Sequence, residues 1–246
     1  MDPFFGPNGP GFIPYSPQHA VALATLGIVL VSLVIFRQWL KHPKRARVFR
    51  YGMAGLLLAL HGLLHVWYVR AERWTWDESL PLQLCTVTLI LSAVLLLYRN
   101  YRLYEFIYFA GIGGALQALF TPVLNVGFPH FWYLYFFIGH GGIIVTAIYM
   151  TAVDGYRPGW MSILRTMVWL NVLLLIVYPI NVWTGGNYLF VSRKPQTASL
   201  LDLLGPWPWY LLWLELVALA LFVVLYMPFV VEKAVRRRKQ KKRLNA

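Results

Sequence analysis

Seven long apolar stretches constrain this chain more than any other feature of its sequence. A helix needs about 20 apolar residues to cross the ~30 Å hydrocarbon core of a bilayer, and each stretch comes close to that length. Because charged residues make up 13% of the chain, an ordinary soluble domain is excluded. We therefore predict an all-α, polytopic membrane bundle of seven transmembrane helices. The predicted spans are 18–40, 48–69, 81–98, 104–123, 132–153, 161–183 and 209–230.

The basic residues predict how this bundle is oriented. Cytoplasmic loops of membrane proteins carry an excess of lysine and arginine. With the N-terminus outside, 18 of the 22 basic residues fall on the cytoplasmic side, and Arg70, Arg73, Arg193 and Lys194 fall outside. We predict this orientation, with a cytoplasmic C-terminus and multi-pass residence in the cell membrane. Since topology accounts for the net charge of +13, nucleic acid is not expected as a partner.

The chain divides into three predicted parts. Residues 1–17, rich in proline and glycine, form an outer-side arm, residues 18–230 the seven-helix transmembrane domain, and residues 231–246 a basic cytoplasmic tail. The tail is expected to contact anionic headgroups of the inner leaflet, where each basic residue contributes about 1 kcal/mol. The outer segment 184–208 is expected to place a short helix over the bundle, either as a lid or as a structural seal.

Polar side chains inside the predicted spans indicate where a site lies. Such groups cost free energy in lipid unless they face the bundle interior. Converted to depth at about 1.5 Å per residue, they converge in the outer half of the membrane. The candidate catalytic residues are Cys85 and His140; the candidate substrate-binding or oxyanion-stabilising residues are Gln83, Gln117, Asn171, Tyr178, Asn181, His61, His65 and Glu215.

Cys85 is the single cysteine, so the fold has no internal disulfide. Cys85, Thr88 and Ser92 follow at i, i+3 and i+7, which predicts a polar stripe facing the bundle interior. Pro81 is expected in the first turn of this helix, leaving free amides and the positive end of the helix dipole near the thiol. The alternative is that Cys85 is a small buried apolar residue.

His140 lies within FFIGHGGII, between glycines that allow a backbone or a ligand to approach the ring. If the aromatic belt 132–135 marks the membrane interface, His140 is about 8–12 Å deep, near the level of Cys85. If His130 marks it, the ring is deeper and His65 is the nearer imidazole. A histidine in a span is about as often a structural hydrogen-bonding residue as a functional one.

Four motifs carry a resemblance to a known family. LPLQLC, IGHGG, GGNYLFVSRKP and SLLDLLGPWPWY resemble YwaF-type bacterial integral membrane proteins, which are similar to the vertebrate transmembrane protein 164, an acyltransferase of phospholipid remodelling. The likeness covers about residues 48–227. It implies a Cys/His acyl-transfer pair, here Cys85 and His140. A more distant likeness to membrane hydrolases that use threonine and histidine implies Thr86 or Thr88 instead.

The sequence is compatible with three functions. The first is a lipid-modifying enzyme without a cofactor, in which His140 takes the proton of Cys85 and the thiolate attacks an acyl ester of a phospholipid or lysophospholipid. The second is a zinc-dependent lipid hydrolase with His61, His65 and His140 as ligands, completed by Glu215 or water. The third is a transporter or binding protein for a small solute, although no paired broken helices or repeated halves are evident.

Overall fold

Helices account for most of the structure, as the apolar stretches predict. The computed structural model describes residues 4–6, 9–194 and 200–244. Within these ranges no β-strand forms, and an isolated bridge joins Gly11 to Val126. A single turn, Arg37–Leu40, follows the first helix. The long helices are α1 (Pro17–Ile35), α2 (Pro43–Arg70), α3 (Leu84–Tyr98), α4 (Tyr101–Phe120), α5 (Phe131–Ala152), α6 (Trp160–Thr184) and α7 (Trp209–Leu244).

The predicted all-helical membrane fold is confirmed for the described part of the chain. Six of its helices are long and apolar enough to cross a membrane, while α3 is a shorter apolar helix of 15 residues. At 1.5 Å per residue α3 is about 22 Å long, less than the hydrocarbon thickness. The count of seven spans and the orientation therefore stay predictions.

Several helix boundaries differ from the sequence prediction: the first helix ends at Ile35 instead of residue 40, and the second begins at Pro43 instead of residue 48. Two further differences affect Cys85 and the basic segment. Helix α3 begins at Leu84, and Pro81 lies in the turn before it, because Gln83 is still extended with φ −66° and ψ 142°. The thiol of Cys85 is thus at the second helical residue, closer to the helix start than predicted. Helix α7 continues to Leu244, so the basic segment prolongs a membrane helix.

Helix α5 is the central element and packs against α1, α2, α3 and α4. Its glycines make these contacts close. A Cβ atom at Gly142 would lie 2.5 Å from Cδ2 of Leu57 in α2, and one at Gly139 would lie 3.1 Å from Cδ1 of Leu89 in α3. Glycine next to His140 therefore serves helix packing, as small residues commonly do between membrane helices.

A buried ion pair joins α4 to α6 at the end of the bundle away from Cys85. The carboxylate of Glu105, 2% exposed, accepts hydrogen bonds from Nε of Arg165 at 2.9 Å and from Oγ of Ser162 at 2.6 Å. A second nitrogen of Arg165, Nη2, also contacts this carboxylate. Bidentate, charge-assisted bonds of this kind offset the cost of removing the carboxylate from water.

The segment after α6 folds back over the Cys85 end. The side chain of Asn181 holds both backbone groups of Tyr188: Nδ2 donates to its carbonyl at 2.9 Å and Oδ1 accepts from its N–H at 2.8 Å. The buried Tyr188 hydroxyl accepts from the N–H of Leu80 and donates to the carbonyl of Trp76, both at 2.9 Å. Asn181 and Tyr188 thereby tie residues 185–194 to α6 and to the segment before α3.

The N-terminal arm lies at this same end of the bundle. The carbonyl of Phe4 accepts from the N–H of Phe131 at 2.8 Å, and His19 bonds the carbonyl of Leu119 at 2.8 Å. His130 bonds the carbonyl of Gly6 at 3.0 Å. The contacts of Phe4 and Gly6 attach the arm to the start of α5, while that of His19 joins α1 to the end of α4. They give the histidines at 19 and 130 structural partners.

Removing the cation of the buried pair should destabilise the bundle strongly. Arg165→Met leaves the Glu105 carboxylate without its main partner, and we expect a loss of about 3 kcal/mol, measured as a lower temperature of unfolding in detergent. Replacing Glu105 by leucine in the same chain should recover part of the loss. The control is Arg236→Met, whose pair with Glu232 is exposed and contributes at most about 1 kcal/mol. Equal losses in the two variants would contradict this assignment.

Asn181→Ala should loosen the segment that covers the Cys85 end. It removes two hydrogen bonds to Tyr188, worth about 2 kcal/mol together, so amides of residues 185–194 should exchange with deuterium faster. Asn171→Ala is the matched control, because the exposed Asn171 bonds the Met167 carbonyl of its own helix. Equal exchange rates in both variants would show that Asn181 does not anchor the segment.

Candidate functional site

A large cavity opens at the Cys85 end of the bundle. Its volume is about 1200 Å³, and α2 to α7 together with residues 77–83 and 186–193 contribute to its lining. Along α4 it reaches from Thr121 to Ala110, a depth of about 16 Å. Most of the wall is apolar, with polar groups near the mouth. A deep, mainly apolar cleft with a few polar side chains is the usual form of a small-molecule site.

The start of α3 gives the cavity a cluster of backbone donors. The first intrahelical bond runs from Val87 N–H to the Gln83 carbonyl at 2.9 Å, so the N–H groups of residues 84–86 precede it. No described side chain caps them. The Gln83 side chain instead accepts from the N–H of Leu189 at 3.2 Å. Uncapped amides at a helix N-terminus stabilise negative charge, and Cys85 lies among them.

The half-buried thiol of Cys85 lies between α4 and α5. Its Sγ would be 4.0 Å from a Cβ atom placed on Gly114, so the missing side chain leaves room beside the sulfur. From α5, Tyr135 interacts with both Cys85 and Thr86. The sulfur thus lies beside Gly114, and Cys85 shares the cavity wall with Tyr135.

His140 lines the same cavity, and its proton position follows from its hydrogen bond. Its Nδ1 is 2.7 Å from the carbonyl oxygen of Phe136. Because a carbonyl oxygen accepts and never donates, Nδ1 carries the hydrogen and Nε2 of the neutral ring keeps a lone pair. The Phe136 ring, 4.5 Å away between centroids, packs against the imidazole. In the neutral ring, Nε2 is therefore the atom that can accept a proton.

The remaining candidate residues divide into two groups. Gln83, Gln117, His61 and Glu215 line the cavity with Cys85 and His140. His65, Asn171, Tyr178 and Asn181 do not line it. Tyr178 is 44% exposed, Asn171 is exposed as well, and the buried Asn181 holds the covering segment. These three residues of α6 thus lie on a side of the helix that points away from the cavity, and residues 185–194 cover the end of that side.

Several cavity residues were missed by the sequence reasoning. Tyr68 and Tyr135 line the wall, as do Gly113 and Gly114 of the GIGG run. Tyr135 had been assigned to the interfacial belt, although it precedes His140 by five residues and lies on the cavity side. The glycines follow a π-helical segment, Ile107–Gly111, of the kind often found at functional sites.

The predicted zinc ligands do not form a three-ligand set. Within the described ranges no group of three His, Cys, Asp or Glu side chains could hold a metal ion. The His65 ring packs edge-on against His61 at 4.8 Å between centroids and does not line the cavity with His140. The Nδ1 atom of His61 is buried, with no hydrogen-bond partner in the described structure.

The structure also distinguishes the two threonines named as alternative nucleophiles, Thr86 and Thr88. The hydroxyl of Thr88 donates to the carbonyls of Leu84 at 2.9 Å and Cys85 at 3.2 Å, so it is used within its own helix. Ser92 donates likewise to the Thr88 carbonyl at 2.6 Å. Thr86, by contrast, lines the cavity. The stripe of Thr88 and Ser92 faces the interior as predicted, and its hydroxyls are satisfied there.

The comparison with protein families agrees with this architecture. The TMEM164 family model matches residues 14–226, which include α1 to α6, half of α7 and both Cys85 and His140. No curated protein and no solved structure matches the chain. The resemblance to transmembrane protein 164 is thus confirmed, while the YwaF-type label stays a prediction. Since the match covers most of its length, the chain is a multi-pass membrane protein that belongs to the TMEM164 family.

Proposed function

We propose that this protein transfers acyl groups of phospholipid or lysophospholipid esters, with Cys85 as nucleophile and His140 as general base. One observation carries the proposal: the thiol and the imidazole line a single deep apolar cavity that begins at the end of the bundle. The other requirements of acyl transfer are an activated nucleophile, donors for an oxyanion and room for a chain.

The proposed reaction has two steps. Nε2 of His140 takes the thiol proton, Sγ of Cys85 attacks the ester carbonyl carbon, and the bond from that carbon to the glycerol oxygen breaks. The leaving oxygen takes the proton from the imidazolium, and the acyl group remains as a thioester. A lysolipid hydroxyl or water then attacks the thioester, giving its proton to His140, which returns it to the sulfur.

The start of α3 supplies the stabilisation that this chemistry needs. A tetrahedral intermediate carries its charge on the former carbonyl oxygen, and backbone N–H groups are the usual donors to it. Residues 84–86, whose N–H groups are uncapped, line the cavity. Gln117 of α4 lines it as well. We assign the oxyanion to these amides, with Gln117 as a further donor.

The depth of the cavity suits the fatty chain. Below the sulfur the wall is formed by apolar residues of α4, α5 and α7, including Ala110, Ile143 and Phe222. An ester carbonyl held at Cys85 would thus extend its chain into the floor, while the headgroup stays near Asn187 and Arg193 at the mouth. If the predicted orientation holds, the lipid enters from the outer leaflet of the membrane.

Thr86 is the rival nucleophile that the geometry favours within the described ranges. It lines the cavity, neighbours Cys85 and interacts with Tyr135. A threonine hydroxyl ionises far less readily than a thiol, so it requires a stronger base to attack. The variants below separate the two residues.

Cys85→Ala should lower acyl transfer about a thousandfold or more, and His140→Gln by roughly 10²–10⁴-fold. The assay follows purified protein in mixed micelles with a phospholipid carrying a fluorescent acyl chain and an unlabelled lysolipid. Wild type should also retain a fluorescent adduct that hydroxylamine releases, as a thioester requires. Thr86→Val is the matched control and should retain both signals. Full activity in Cys85→Ala, or its loss in Thr86→Val alone, would move the nucleophile to Thr86.

Gly114→Leu should block the space beside the sulfur. A Cβ at this position meets Cδ2 of Leu84 at 3.4 Å and Sγ of Cys85 at 4.0 Å, so the remaining side chain extends into the cavity. We expect at least a tenfold loss of activity and little change in unfolding temperature. Gly55→Leu is the control, because nothing lies within 4 Å of a Cβ there and both substitutions gain similar helix propensity. Equal activity in both variants would exclude this space as the acyl path.

A further inference from the structure

We infer that a second site, at the end of the bundle opposite Cys85, binds the phosphate group of an anionic ligand, most directly an acidic phospholipid headgroup. A pocket of about 270 Å³ lies there, distinct from the proposed acyl-transfer cavity. Four cationic side chains and one carboxylate line it. These residues are Lys41, Arg47, Arg50, Arg99 and Asp154.

The fold brings these residues together from three places in the chain. Lys41 lies two residues before α2, Arg47 and Arg50 lie near the start of α2, Arg99 follows the end of α3, and Asp154 follows the end of α5. Arg99 follows Cys85 by fourteen positions, about 21 Å along α3. The pocket is thus a separate feature, and a ligand there would not touch the groups proposed for acyl transfer.

Arg50 lines this pocket, and one of its N–H donors has no partner in the described structure. Its Nη1 donates to the carbonyl of Leu96 at 2.8 Å, which fixes the guanidinium against α3. Its Nε atom is buried and has no hydrogen-bond partner in the described structure. A buried donor without a partner is costly, and a guanidinium held in place matches phosphate oxygens in geometry. A phosphate in the pocket would be attracted by this fixed guanidinium.

The start of α2 adds further positive potential. Pro43 and Ala46 of its first turn line the pocket. This turn has no acidic residue and no side-chain cap. Since Pro43 has no N–H and the N–H of Ala46 donates to the carbonyl of His42 at 2.9 Å, the turn contributes the positive end of the helix dipole and no free amide from these two residues. Phosphate groups bind readily at helix N-termini of this kind. The helix dipole and the cationic side chains thus both make the electrostatic potential in this pocket more positive.

The carboxyl group of Asp154, when ionised, offsets part of the positive charge of the pocket. Burial raises the pKa of its carboxyl group, and the neighbouring Arg99 and Arg50 oppose that rise. Its Oδ2 atom is buried without a hydrogen-bond partner in the described ranges. With Asp154 ionised, the four cations still leave a net positive charge. The pocket therefore attracts anions, and the carboxylate weakens that attraction.

The pocket differs from the basic tail in the contact it offers. Basic residues of α7 such as Arg237 are exposed along a helix and make diffuse contacts with any anionic surface. The pocket instead encloses a small group between helix ends, as basic pockets between membrane helices do with phosphorylated headgroups. Free phosphate and a lipid phosphate share this chemistry, so the experiment includes both.

The test measures the binding of phosphatidic acid, with phosphatidylcholine as the neutral-headgroup control, to the full-length protein in detergent by native mass spectrometry. Wild type should retain phosphatidic acid preferentially. Arg50→Gln and Arg99→Gln should each weaken its binding about fivefold, and Asp154→Asn should strengthen it by a similar factor. Arg237→Gln is the matched control and should change the affinity less than twofold. Strengthening by Asp154→Asn cannot arise from misfolding.

Competition separates the two sources of phosphate. Inorganic phosphate that displaces phosphatidic acid at micromolar concentration would assign the pocket to a free anion, and no displacement would assign it to the lipid. Either result supports the phosphate site. The inference is overturned if Arg50→Gln and Arg99→Gln bind as tightly as Arg237→Gln, or if Asp154→Asn binds no better than wild type. Acyl transfer is measured in parallel, and its failure leaves this result unaffected.

Discussion

The requirement that buried backbone groups find hydrogen-bond partners governs this structure. In lipid the requirement is met by helices, whose bonds are internal, and it is hardest to meet where a helix begins. Helix α3 begins below the bundle end, since it is shorter than the others, and its first amides stay uncapped in the cavity. A short helix in a bundle of longer ones thus creates both the cleft and its donors. The segment 185–194, held by Asn181, covers the space above.

Much of the fold follows from hydropathy, and the reason is physical. A span must be apolar over about 20 residues, which leaves a signal that no soluble fold produces. Helix α3 is the exception, because Gln83 and Pro81 look compatible with a helix while the chain stays extended there until Leu84. Sequence also placed Cys85, His140, His61 and Gln117 facing the interior, since polar groups in a span avoid lipid.

The sequence does not show which neighbouring element each helix face packs against. Asn171 and Asn181 differ by ten residues and share a face, yet Asn171 is exposed and Asn181 is buried under the returning segment. Helical periodicity gives relative directions along one helix and carries no information on what packs against it. His65 illustrates the same limit, as it follows His61 by one turn but packs beside it outside the cavity wall. Contacts with neighbouring helices and segments determine which of these side chains are buried and which line the cavity.

The glycines show how packing and site formation interact. Gly139 and Gly142 bring α3 and α2 against α5, and this close approach fixes the height of His140 relative to the start of α3. On the facing helix, Gly114 leaves space where a side chain would press on the sulfur. Gly139 thus lets α5 pack closely against one side of α3, whereas Gly114 leaves space beside its other side. Because a helix that is tightly packed on one face is hindered from moving into a gap on the other, this packing keeps the start of α3 in place for the chemistry we propose.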